Sequence, residues 1–230
     1  MDIGPKTTVE AKLGLLDDLK KQAAQVQTQQ TSQKKLRDEH LRAVESSMQR
    51  AFAYLSDLLR QLAVIKPGNA LAYSVPGVGE LKDLVFSESF IDFRRKRIND
   101  REFLERVDFY IKWTGARNLA FERDMPAAIQ KVRDALWGAN IKFSEEETRV
   151  NGKIAKVRFD IPSAVVVDVS IRADHENGLL LCSGKNLLRL GIDDFSVPAA
   201  ELTETLLEEI AKSLLGQASG LVRYRTVLPR

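Results

Sequence analysis

Few side chains in this sequence could carry covalent or metal chemistry, and their spacing argues against it. The two histidines, His40 and His175, lie in distant segments, so no paired spacing for metal ligands or for an acid and a base exists. His175 stands between Asp174 and Glu176, a set that could touch a metal weakly. The run Asp174 to Gly178, however, has the composition of a solvated turn. Cys182 is the sole cysteine, which rules out an intrachain disulfide and a zinc site built mainly from thiolates, and points to a reducing compartment. It falls in the apolar run Leu179 to Cys182, where a buried thiol is the ordinary state and a reactive thiolate would need a cationic neighbour. Ser183-Gly184 does not match a nucleophile elbow. Pro76-Gly77-Val78-Gly79 lacks the lysine, the following Ser or Thr and the immediate helix of a phosphate-cradling loop. These readings nominate no catalytic, cofactor or metal residue and favour a non-enzymatic protein.

Recognition chemistry is better represented. Arg94-Arg95-Lys96-Arg97, with Arg101 and Arg106 nearby and Phe90, Phe93 and Phe103 interleaved, could meet a polyanion or an acidic partner. On a strand, Arg95 and Arg97 share one face while Arg94 and Lys96 share the other, so the run would not form one patch. Asp100, Glu102, Glu105 and Asp108 stand close enough to pair across a hairpin, and a solvated or internally paired run is the plainer reading. Net charge adds little, because the whole excess of +3 sits in residues 1–67, which carry 11 basic and 8 acidic side chains.

The element ahead of this run has the strongest pattern in the chain. Leu41, Val44, Met48, Ala51, Leu55, Leu58, Leu62 and Ile65 recur at alternating spacings of three and four, a helical seam that needs a partner surface. Phe52, Leu59 and Tyr54 widen the stripe beyond a two-stranded zipper. A weaker seam, Leu16, Leu19, Ala23 and Val26 continued by Gln30 and Gln33, precedes it with a four-residue phase offset. No Gly or Pro lies between Gly14 and Pro67, so the spacing predicts one long helix over residues 8–65, bent or frayed near 28–35, in preference to a hairpin. The expected reading is a helical arm, residues 1–67, that self-associates as a coiled coil or bundle through Leu41–Ile65, Phe52 and Leu59 included. Docking of the seam on the chain's own domain is the alternative.

Beyond Pro67 the apolar period changes from 3.6 to 2, marking residues 68–230 as an α+β domain. Phe90–Ile98 and Phe103–Trp113 read as strands around Asn99-Asp100, and Leu119–Phe121 as a short one. Met125-Pro126-Ala127-Ala128 opens a helix carrying Ile129, Val132 and Leu136. Ile141–Val150 and Lys153–Ile161 flank Asn151-Gly152, a strong hairpin signal. Strands follow at Val165–Arg172, Leu179–Cys182 and Leu187–Ile192. A last helix after Ser196-Val197-Pro198-Ala199-Ala200 carries Leu202, Leu206, Leu207, Ile210 and Leu214. Consecutive hairpins predict a mainly antiparallel sheet with two helices on one face. The shared Pro-Ala-Ala openings raise a duplicated meander-plus-helix unit, on few shared letters.

No cationic segment leads into an apolar run, and no stretch nears the ~20 apolar residues of a membrane span. The sequence therefore predicts a cytoplasmic interaction or scaffold protein without cofactor or membrane contact. It would form a homo-oligomer through its arm and bind a protein partner through its α+β domain. A nucleic-acid-associated protein using residues 94–106 is the runner-up, and an enzyme of unknown type comes third.

Overall fold

The computed structural model describes residues 15–75, 77–138 and 141–224. Its first element, α1, is a single helix, Leu15–Ile65, that runs through the Gln-rich stretch without a turn. The absence of helix breakers explains the continuity, and the Thr28 and Thr31 hydroxyls donate to the carbonyls of Ala24 and Gln27 within it. The chain divides into two compact units between Glu39 and His40, inside the helix and not at Pro67. In the first unit, Leu16 to Glu39 are exposed throughout. The second unit, from His40 on, holds the sheets and the rest of the helix.

The strands are β1 (Gly68–Asn69), β2 (Tyr73–Val75), β3 (Gly79–Leu81), β4 (Leu84–Ile98), β5 (Arg101–Thr114), β6 (Leu119–Arg123), β7 (Ser144–Val150), β8 (Lys153–Ile161), β9 (Ala164–Asp174), β10 (Leu179–Lys185) and β11 (Ile192–Pro198). Two further helices are α2 (Pro126–Gly138) and α3 (Glu204–Leu214). The strands form a six-stranded sheet in the order β1-β4-β5-β9-β10-β11, a three-stranded sheet β6-β8-β7 and the hairpin β2-β3, and among the described residues every pairing is antiparallel. Asn99 and Asp100 (φ 46° and 61°) and Asn151 and Gly152 (φ 50° and 77°) turn two hairpins with both central residues left-handed, the geometry that matches strand twist.

The two sheets share a bent ladder. Thr114 faces Ala164 in the large sheet and Leu119 faces Ile161 in the small one, with the Gly115 amide donating to the Ser163 carbonyl (2.6 Å) at the bend. A Cβ at Gly115 would collide with the Ser163 side chain, so this close approach of backbones requires glycine.

One core joins Val44, Met48 and Leu55 of α1, Phe109 and Trp113 of β5, the inward side chains of β9 and Leu207 and Leu214 of α3. The expected mainly antiparallel β domain with two further helices is present, its strands divided among a six-stranded sheet, a three-stranded sheet and the hairpin β2-β3 in place of one sheet. α1 and α3 belong to the large sheet. α2 lies beside β6 and is tied to β7 by Arg133, which bonds Glu145 (2.8 and 2.9 Å) and Glu147 (3.4 Å). Two other sequence expectations shift. Leu187 to Leu190 form a bend whose apolar side chains cap the core, while the last strand is β11, where Asp193, Phe195 and Val197 point inward. After Pro198 comes a short 3-10 turn, Ala199–Glu201, so α3 starts only at Glu204 and Leu202 precedes it. Among the described residues, no helix is long and apolar enough to cross a membrane.

Candidate functional site

The seam expected to meet a partner is covered by the chain's own sheet. Val44, Met48, Ala51 and Leu55 are fully buried, and Leu41, Leu59 and Leu62 nearly so. Phe52 and Leu58 are half-buried, with Phe52 edge-on to Phe93 at 5.0 Å, while Ile65 lies outside the contact. Polar bonds fix the helix in place. Ser47 donates to the Ala199 carbonyl (2.6 Å), Arg50 to the Leu202 carbonyl (2.8 Å), and the Glu45 carboxylate accepts from the Leu104 amide (2.7 Å). The assignment of Leu41–Ile65 to a partner chain is corrected accordingly: the broad stripe matches a sheet surface, and burying it there already satisfies it.

The basic residues have the opposite fate. β9 pairs with β5 only from Arg106 onward, so the tip of the β4–β5 hairpin is a two-stranded extension. Arg94, Arg95, Lys96, Arg97 and Arg101 are all exposed there. The run does divide between two faces, as its strand register requires; Leu104, opposite Arg95, is buried and its amide meets Glu45 of α1, and Phe103, opposite Lys96, packs on His175, while the cationic side chains themselves stay exposed. Acidic neighbours engage part of it: Arg97 meets Asp100 (3.0 Å), Arg106 meets Asp108 (2.6 Å), and Arg95 approaches Glu102 (4.0 Å). Arg95 also lies over the Phe93 ring, 5.5 Å from its centre.

Register builds a second arrangement on the sheet face away from α1 and α3. Arg94 stands opposite Arg106, and Arg106 opposite Arg172, giving three arginines abreast on three adjacent strands. The next outward-facing row is Asp92, Asp108 and Ser170, and the one after that is Phe90, Tyr110 and Asp168, with the two rings tilted together at 6.2 Å. The Phe90 ring is more than half exposed. Tyr110 also borders a groove of about 590 Å³ with Lys112, Val166, Asp168, Lys185 and Leu190 on its walls. Lys112 pairs with Glu88 at 3.3 Å. Arg172 and Tyr110 escape a reading of the sequence because their value lies in pairing register with a strand far along the chain, which no local pattern encodes.

Groups with covalent or acid–base potential sit elsewhere. The two histidines come to one turn: His40 on α1 bonds the Glu176 carbonyl through Nδ1 (2.8 Å), and His175 is nine-tenths buried, edge-on to Phe103 at 5.7 Å. Burial lowers the His175 pKa, against the raising influence of Glu45, Asp174 and Glu105; Lys96 lowers it further. Burial pushes the Cys182 thiol up to about 12, so it is a small apolar core group and not a nucleophile. Asp193, buried on β11, is 3.6 Å from the Arg189 guanidinium. Among the described residues, no cluster of three or more His, Cys, Asp or Glu side chains is placed to hold a metal ion. The features that converge are those of recognition: cations, an aromatic pair with one exposed ring, and a groove on one sheet face. No family model, curated protein or solved structure matches the chain.

Proposed function

We propose that the protein is a non-enzymatic assembly protein. Residues 15–39 of α1 pair with the same residues of a second copy, and the α+β domain is a binding head that takes up a macromolecular partner on its open sheet face. The observation that carries the reading is the exposure of Leu16, Leu19 and Val26 on a helix that nothing in its own compact unit covers. Helices in proteins draw most of their stability from packing of an apolar face, so this exposed stripe calls for a partner helix.

The seam's composition favours a second copy. Its a and d positions are Leu16, Leu19, Ala23, Val26, Gln30 and Gln33, a narrow stripe suited to two helices. Facing glutamines donate to and accept from their own copies, which an apolar partner would leave unpaired.

Light scattering on the full chain tests the reading. The expected mass at micromolar concentration is that of more than one chain, falling to a single chain in the Leu19→Asp/Val26→Asp variant while its domain keeps the native melting temperature. A single-chain mass for the unaltered protein overturns it.

A further inference from the structure

We propose that the open face of the six-stranded sheet binds single-stranded nucleic acid, with Arg94, Arg106 and Arg172 on phosphates and Phe90 and Tyr110 stacked on bases. The inference deepens the reading of the α+β domain as a binding head and does not depend on how residues 15–39 pair.

Three observations converge on that ligand. Like charges directly opposite on neighbouring strands are destabilising, and this sheet sets three in one row. A bound polyanion converts that repulsion into attraction. The Arg106–Asp108 pair does not block it, because both side chains are 30–40% exposed and surface pairs of this kind are weak and exchangeable. Second, all three cations are arginines, whose planar fork matches phosphate in a bidentate way and also stacks on bases. Third, the Phe90–Tyr110 pair, Phe90 exposed and Tyr110 half-buried, offers an apolar ring face two rows away, and the groove beyond Tyr110 adds Lys112, exchangeably paired with Glu88, and Lys185, opposite Asp168. Cations at both ends of an aromatic platform describe a track for a strand whose bases are unstacked from each other. A duplex hides those faces, and an acidic peptide has no use for the platform.

Asp92 and Asp108 lie between the arginine row and the aromatic pair, and Asp168 stands opposite Tyr110, so these carboxylates weaken the site and make it testable in both directions. The probe is a fluorescein-labelled oligothymidylate of about 30 nucleotides, longer than the roughly 4–16 that one module covers. Anisotropy is read with the full chain at about 50 mM salt and then at rising salt, which weakens phosphate binding.

Saturable binding is expected. Arg94→Gln/Arg106→Gln/Arg172→Gln should weaken it at least tenfold and flatten the log–log salt slope by about 0.7 for each phosphate no longer neutralised. Phe90→Ala/Tyr110→Ala should weaken it by a similar factor with the slope unchanged, and Asp92→Asn/Asp108→Asn should tighten it. Absence of binding overturns the proposal. So does equal affinity for duplex DNA, or competition by polyglutamate together with indifference to Phe90→Ala/Tyr110→Ala, which would assign the face to an acidic protein. Light scattering on the same samples keeps the two ideas apart, since a loss of binding at unchanged mass counts against the nucleic-acid site alone.

Discussion

The two halves of α1 use similar heptad spacing and end in opposite surroundings. Leu19 and Val26 are 52% and 50% exposed, whereas Val44, Met48 and Leu55 show no exposed surface at all. The difference lies in the width of the stripe. In the first half Leu16, Leu19, Ala23 and Val26 keep to a and d positions, with Leu36 apart from them, a line that one partner helix can cover. In the second half Phe52, Tyr54 and Leu59 broaden it into a face that fits a sheet, and the chain supplies that sheet itself. Periodicity thus states that a helix face must be covered, and breadth indicates by what.

Truncating one residue in each half should separate the two most strongly. Leu55→Ala removes a fully buried side chain from the shared core, and a loss of roughly 2–5 kcal/mol is expected in urea unfolding of the full chain. Leu19→Ala should leave the unfolding of the α+β domain within about 0.5 kcal/mol of the native value, because its side chain is exposed and lies in the other unit. Equal losses would mean that the two halves share one cooperative unit. Hydrogen exchange adds detail along the same helix: amides from Val44 to Leu59 should open only with global unfolding, and those from Leu19 to Lys34 at far lower cost.

A smaller effect tests where the covered half begins. Gly178, in the β9–β10 turn, has φ 69°, and a Cβ there would stand 2.9 Å from Cδ2 of His40, the first residue of the second unit. Gly178→Ala should therefore cost about 1–3 kcal/mol, part from the left-handed backbone and part from the clash. Adding His40→Ala should recover the clash alone. Full recovery, or none, would show that only one of the two operates at this boundary.

Much of the fold was legible from the sequence, for reasons that particular residues make plain. The continuous helix followed from the absence of breakers. The hairpins at Asn99-Asp100 and Asn151-Gly152 followed from residues that tolerate left-handed backbone. β11 was displaced because Leu187 to Leu190 resemble a strand in composition, while the true strand buries Asp193 at a position where alternation calls for an apolar residue. The binding face was legible only in its local half. Arg94 to Arg97 are adjacent in sequence, but their neighbours Arg106 and Arg172 are set by register between strands, as is the meeting of His40 with the turn that holds His175.

The weakest expected effect concerns that turn and asks whether pH loosens the covered half at its start. His175 is held by burial below its ordinary pKa of 6.5, and among the described residues its Nε2 finds no hydrogen-bond partner. The fold thus favours the neutral ring, although Glu45 on α1, Glu105 on β5 and Asp174 pull toward the charged one and Lys96 on β4 opposes them. Between pH 6.5 and the lower native value the unfolded chain binds this proton more readily than the native one. Stability contributed by His175 is therefore complete above pH 6.5, falls as pH drops through that window and levels off below it. His175→Phe keeps a ring against Phe103 and removes the titration. Urea unfolding of both proteins from about pH 7.5 to about pH 5 should give a steeper decline for the native chain than for the variant. Parallel curves would show that the buried imidazole does not set the pH response.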